Sequence, residues 1–263
     1  ESGNILISDL RNFWHNVPEV AAVAAIILVI TSVGFPTLSS MRHNAWRQKC
    51  AANLGGLGKA LVSYASEHDS RLPEVPLSAG SPWWKVGSQG ERAESNTRNM
   101  WLLVKQGYAD GDVFVCPARK DAESFRSSVS DGFSIDSLQD FPSRRNVTYS
   151  FIIMCEKSKS RIRSGIPTVI ASDANPVFES VFDGGDCAYD GEQFGKIVVD
   201  DKLRNMMSLN HRCHGQNVLL TGGSASFEKQ RVILDDDIFT VKDADVYSGV
   251  ERPCNQNDMF LVP

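Results

Sequence analysis

His211, Cys213, His214 and Cys254 carry the imidazole and thiolate groups that bind zinc-class ions. Their spacing matches no standard zinc site, and the plainer reading is a disulfide at Cys213 beside ordinary loop histidines. Asp183, Asp186 and Asp190, with Glu192, surround Gly184-Gly185. Oxygen-rich loops of this kind hold calcium, the one cofactor that comes into question here. The register matches no EF-hand, so the favoured reading is a solvated acidic loop with no metal and no cofactor. Asp235-Asp236-Asp237 is read the same way. Asn146-Val147-Thr148 fits a glycosylation triplet but lies in a strand-like run, which makes it structural. There is no Gly-x-Ser-x-Gly, no His-Glu-x-x-His and no phosphate loop. No nucleophile–base pair emerges, no residue is assigned a catalytic role, and the expectation is a protein that is not an enzyme.

Six cysteines, Cys50, Cys116, Cys155, Cys187, Cys213 and Cys254, are scattered with no Cys-x-x-Cys pair. That weakens zinc-ribbon and redox-motif readings and leaves two: disulfides in an oxidising compartment, or buried free thiols. A net charge of -5 disfavours a nucleic-acid partner, since phosphate binding needs a basic patch.

The elements that must carry these groups begin with an apolar run. Residues 20–35 read VAAVAAIILVITSVGF with no charge, flanked by Glu19 and Pro36. As a helix the run is about 24 Å long, short of the roughly 30 Å hydrocarbon core until flanking apolar residues are added. A secretory signal lacks its basic start here, because Arg11 alone precedes the run among Glu1, Asp9 and Glu19. For a simple anchor, Arg42, Arg47 and Lys49 would draw the C-terminal bulk to the cytoplasm, against the disulfide reading. Glu19 is costly in lipid unless paired, either with a neighbour's basic group in an assembly or by reaching the interface.

Beyond Pro36 the helical pattern continues. Cys50, Leu54, Leu57, Leu61 and Tyr64 recur at spacings of 4, 3, 4 and 3 and form one apolar stripe. Gly55, Gly56 and Gly58 inside it indicate close packing on another element, since each costs about 1 kcal/mol against alanine. Glu67 to Ser70 and Pro73 end the pattern, and a joint is expected near Gly34-Pro36. Before the run, Ile5, Leu6, Leu10, Phe13, Trp14 and Val17 fall on one helical face. The expected organisation is an amphipathic extension over 1–18, a long helix over 19–69 and a globular β-rich head over 70–263.

These residues resemble the type IV pilin and pseudopilin family, in which a Glu and a Pro stand seventeen residues apart across an Ala/Ile/Val-rich run, as Glu19 and Pro36 do. Arg47 to Tyr64 is similar to that family's helix entering its head, and Ser70-Arg71-Leu72-Pro73 to its exit. Met100-Trp101-Leu102-Leu103, Val113 to Pro117, Asn146 to Phe151, Asn210-His211, Gly215 to Leu220 and Asp258 to Pro263 resemble a large-headed bacterial subgroup. The family's processing junction would fall between Trp14 and His15, where its Gly and Phe are both missing, so the extension is expected to be retained. The subgroup's Asp-Gly after the histidine is also missing, with Gly222-Gly223 following His211.

The resemblance implies a Cys50–Cys116 disulfide, the other four cysteines being left without an assigned pairing. It implies a structural filament subunit that polymerises with copies of itself through Glu19, Val20, Val23, Ile26, Ile27, Ile30 and Pro36. Its partners would be itself and inner-membrane assembly machinery. It would lie in the inner membrane before assembly and in a periplasmic or extracellular filament afterwards. Alternatives are a minor pseudopilin of a type II secretion-like machine and a membrane-anchored surface binding protein. The head itself reads as strands: Val147 to Cys155, Pro167 to Ala171, and a hairpin of Asn217–Thr221 and Ala225–Glu228 around Gly222-Gly223-Ser224. Val232 to Phe239 adds an edge strand. The fold class is α+β, an antiparallel sheet packed on the second half of the long helix.

Overall fold

The computed structural model describes residues 3–76, 82–92, 94–128, 134–153, 167–182, 196–253, 255 and 258–263, and for 3–19, 33, 34, 36 and 180–182 the backbone alone. The protein is α+β and divides into a unit ending at Ala45 and a second unit from Trp46 to Pro263. One helix, α1 (Gly3–Glu67), contributes to both. It takes in residues 3–18 and continues through Gly34 and Pro36, where a joint was expected. A proline in a helix removes one backbone donor, and the bonds of the neighbouring turns remain to carry the helix past it. The helix stops at Glu67, where Asp69 and Ser70 take left-handed φ values of 53° and 61° and the Ser70 amide closes back on the Ala65 carbonyl at 2.8 Å.

In the second unit, Cys50, Leu54, Leu57, Leu61 and Tyr64 are all buried, as their spacing predicts. They join one core with Met100, Trp101 and Leu103 of α2 (Thr97–Lys105) and with sheet residues Phe151, Val169, Ala171, Val218 and Leu219. Of the three helix glycines, Gly58 alone meets a neighbour: a methyl there would lie 2.9 Å from the Gly223 Cα and 2.9 Å from Leu219 Cδ1, whereas Gly55 and Gly56 face nothing within 4 Å. The short helices α3 (Phe125–Ser128), α4 (Pro176–Phe182) and α5 (Asp201–Arg204) lie on the connections.

The strands are β1 (Tyr149–Ile152), β2 (Val169–Asp173), β3 (Ile197–Val198), β4 (Gln216–Leu220), β5 (Ala225–Glu228), β6 (Val232–Ile233), β7 (Asp236–Asp237), β8 (Val246–Tyr247) and β9 (Leu261–Val262). Five of them form an antiparallel sheet in the order β5-β4-β2-β1-β9. The β4–β5 hairpin turns through Gly222-Gly223-Ser224 as expected, with Leu219 opposite Ala225 and Gly223 at φ 79°. Val232 to Phe239 does not extend this sheet. Leu234 and Asp235 take φ values of 54° and 65°, the left-handed pair of a tight hairpin turn, so β6 folds onto β7 instead. The edge position is filled by β9, which pairs Val262 with Phe151.

All five residues of β2 are buried, so polar Ser172 and Asp173 are carried into the interior with Val169, Ile170 and Ala171. A second core gathers Val177 with Trp83, Phe178, Tyr247 and Phe260, and the rings of those four meet mostly edge to face.

Candidate functional site

Two regions concentrate the residues that the sequence singles out. The first is the apolar half of α1. Every residue from Val20 to Ile30 is exposed, Val20 at 65% and Ile30 at 64%. Leu38 and Met41 continue the exposed apolar surface. Thr31 returns its hydroxyl to the Ile27 carbonyl at 2.8 Å, and Ser32 to the Val29 carbonyl at 3.1 Å. Helical hydroxyls bonded in this way present little polarity outward, which suits apolar surroundings. By length and composition the helix is able to cross a membrane. Val20, Val23, Ile26, Ile27 and Ile30 belong to this surface, while Glu19 and Pro36 lie on the same helix with the backbone alone described.

The second region is buried. Cys50 on α1 and Cys116 are joined by a disulfide, the pairing implied by the family resemblance. Cys116 follows a 3-10 turn over Gly111–Phe114, and its amide donates to Thr148 Oγ1 at 2.6 Å. Beside it, His211 Nε2 lies 3.9 Å from the Cys116 sulfur and 3.2 Å from Asp173 Oδ2. Asp173 ends β2 and is held on several sides. The Asn217 amide donates to its Oδ2 at 2.5 Å, Asn217 Nδ2 to the same oxygen at 3.0 Å, and Asn210 Nδ2 to Oδ1 at 3.1 Å. Asn210 also ties the strand next door through the Thr148 carbonyl at 2.8 Å. It reaches this place because a 3-10 turn over Leu209–His211, capped by the Ser208 hydroxyl, sets Asn210 and His211 inward.

Asn217 Nδ2 also lies 3.0 Å from His211 Nε2. That contact needs a lone pair on Nε2, whereas a bond from Nε2 to Asp173 needs a proton there, so the two belong to alternative tautomers of one ring. Burial first, and the Asp173 charge second, push the Tyr149 phenol well above its usual range, with the Asn53 amide opposing. Asp173 and His211 are both 0% exposed, so no substrate reaches them in the folded head.

The sequence's own metal candidates part company. Cys213 has a free, exposed thiol in place of the disulfide favoured for it, and it sits with Arg212 in a left-handed turn at φ 57° and 59° on the surface. His214 Nδ1 lies 2.7 Å from the Arg212 carbonyl in that same turn, and His211 is committed to the interior. Cys155, Cys187, Cys254, Asp183, Asp186 and Asp190 lie outside the described residues. Of Asp235-Asp236-Asp237, two are engaged internally rather than solvated: Asp236 accepts the Met259 amide at 2.5 Å and Asp237 pairs with Arg231 at 2.9 Å. Asn146 of the glycosylation triplet is fully buried and donates to the Glu123 carbonyl at 3.1 Å, as a structural residue does.

Sequence reasoning passed over Asp173, Asn217 and the buried Asp140. Asp173 had a legible signal, a carboxylate one residue beyond the apolar run Val169-Ile170-Ala171. The chain matches no family model, no curated protein and no solved structure.

Proposed function

We propose that this chain is a structural, non-enzymatic subunit of a type IV pilin-like or pseudopilin-like filament, polymerising through the apolar half of α1. The observation that carries the reading is the unbroken exposed stretch from Val20 to Ile30, on a helix whose later turns are buried in a folded head. Apolar surface of that extent calls for cover from outside the chain. A second copy offers the same surface, and repeated head-to-tail contacts that do not close produce an open helical polymer. Glu19 sets register by pairing with a basic group of a neighbouring copy. Before assembly the helix rests in the inner membrane, where assembly machinery takes it up, and the filament is periplasmic or extracellular. Neither nucleic acid nor a cofactor enters this role.

Electron microscopy of native material with helical reconstruction tests it. Ordered filaments with residues 19–60 at the axis are expected, and Glu19→Ala impairs their assembly while leaving the head folded. The membrane-crossing length of the helix favours a second reading, in which it serves only as the anchor of a surface binding protein or of a minor pseudopilin. Monomers or short membrane complexes alone, with no filaments, would overturn the first reading in favour of that one.

A further inference from the structure

We propose that Cys50, Cys116, Asp173 and His211 form a binding site for a thiophilic divalent cation of the zinc class whenever Cys50 and Cys116 are reduced, so that disulfide and metal exclude one another. The four side chains come from separate parts of the chain, are all buried, and bring one ligand atom each to within 4.8 Å of the others. In a tetrahedral zinc site, bond lengths of roughly 2.0–2.3 Å place ligand atoms about 3.3 Å apart for nitrogen and oxygen and about 3.6 Å apart for sulfur and nitrogen. Here His211 Nε2 stands 3.2 Å from Asp173 Oδ2 and 3.9 Å from the Cys116 sulfur. Those two edges are already near the length a metal requires. The edge that is too short is the sulfur–sulfur one, which must open to about 3.8 Å, and reduction is the step that frees it.

The donor set decides the ion. Two thiolates with an imidazole select zinc-class cations over calcium or magnesium, which take oxygen cages. The surroundings act as an outer shell: Asn217 and Asn210 fix the carboxylate, and Thr148 fixes the Cys116 backbone.

The exchange balances with a dithiol as reductant. Two electrons and two protons pass to the Cys50–Cys116 bond, which becomes two thiols, while the dithiol closes to its own disulfide. Metal binding then releases both thiol protons to solvent. Two thiolates, one carboxylate and a dication sum to a single negative charge, faced by the Asn217 and Asn210 N–H groups. Because every ligand is sealed from solvent, the ion enters as the reduced head folds.

The test refolds the full chain in detergent, without oxygen, under a phosphine reductant, in the presence of Co(II) alone. The expected result is one ion per chain with thiolate-to-cobalt charge-transfer bands and tetrahedral ligand-field bands, displaced by Zn(II) and missing from the oxidised chain. His211→Ala and Asp173→Asn should lose the tetrahedral bands. In case those variants do not fold, alkylation of the wild-type chain is mapped by mass spectrometry. With free zinc at about 100 times its Kd, Cys50 and Cys116 react about 100-fold more slowly while Cys213 is unprotected. Any of three results overturns the proposal: no cobalt uptake, the same bands in the Cys50→Ser, Cys116→Ser double variant, or a reduced chain that zinc neither protects at these two positions nor helps to fold.

Discussion

The two halves of α1 are built from similar residues and meet opposite fates. Val20 to Ile30 are exposed throughout, whereas Leu54 and Leu57, on the same helix, are 0% exposed. Composition separates them in part, since residues 20–41 carry no charge and the second half holds Arg47, Lys49, Lys59 and Glu67; arrangement does the rest. The second half keeps Cys50, Leu54, Leu57, Leu61 and Tyr64 on one buried stripe with Lys59 and Ser63 turned outward, as a helix does when it covers a core. The first half is apolar around its whole circumference and exposed from Val20 to Ile30, and it belongs to a helix long and apolar enough to cross a membrane. Trimming an apolar side chain in the second half therefore weakens the fold of the head, and trimming one in the first half weakens insertion or assembly.

The largest expected effect tests that division directly. Leu57→Ala removes a fully buried side chain from the core and should destabilise the head by about 2–5 kcal/mol in chemical denaturation. Leu28→Ala removes the same atoms from the exposed half. It should leave the head within about 0.5 kcal/mol of wild type, while weakening association with vesicles or with other copies by about 2 kcal/mol, the transfer value of the lost carbons. Equal effects of the two on head unfolding would abolish the distinction.

Proton linkage sharpens the same contrast. Residues 20–41 contain no ionisable side chain. In the head, burial pushes the Asp140 carboxyl up from 3.8 to about 6, against bonds from Thr97, Ser95 and the Phe141 and Gly87 amides that hold it down. The folded head thus binds this proton more tightly than the unfolded chain does. Its contribution is complete below pH 3.8, is lost as pH rises to about 6, and is level beyond that. The total is about 3 kcal/mol. Subtracting the pH–stability curve of Asp140→Asn from that of wild type should reveal this decline, and a flat difference between pH 4 and pH 6 would refute it. Membrane association through residues 20–41 should show no counterpart.

What the sequence made legible follows from whether the signal is local or assembled. The stripe from Cys50 to Tyr64 repeats every three or four residues, and the β4–β5 hairpin has its glycines in the turn, so both could be read from neighbours along the chain. The Cys50–Cys116 bridge came through family resemblance, since spacing does not specify pairing. Val232 to Phe239 misled because its apolar ends were read as one strand across Asp235-Asp236-Asp237, and the left-handed pair Leu234-Asp235 carries none of the glycine that usually marks such a turn. The buried cluster was hardest. Cys116, Asp173, His211 and Asn217 share no period, and a strand that carries Asp173 inward becomes intelligible only once Asn210 and Asn217 are seen to hold its carboxylate.

The smallest expected effect separates two glycines that the sequence treats alike. At Gly58 an added methyl would meet the Gly223 Cα and Leu219 Cδ1, each at 2.9 Å, and the Gly223 carbonyl oxygen at 3.2 Å. Part of that wall is backbone, and the turn is pinned by the Leu220 amide on the Ser224 carbonyl at 2.9 Å and the Gly223 amide on the Leu220 carbonyl at 2.8 Å. Gly58→Ala should therefore lose about 1–3 kcal/mol to overpacking, offset in part by about 1 kcal/mol of helix propensity. Gly56→Ala adds the same methyl two residues away, where nothing lies within 4 Å, and keeps the propensity gain of about 1 kcal/mol. The two variants share the same helix and the same change in composition, so the difference between their unfolding midpoints isolates packing against the hairpin. Gly56→Ala should melt above wild type and Gly58→Ala below it. If both melt above wild type, the helix does not lie as close to the β4–β5 turn as Gly58 requires, and its second half holds the head by the leucine stripe alone.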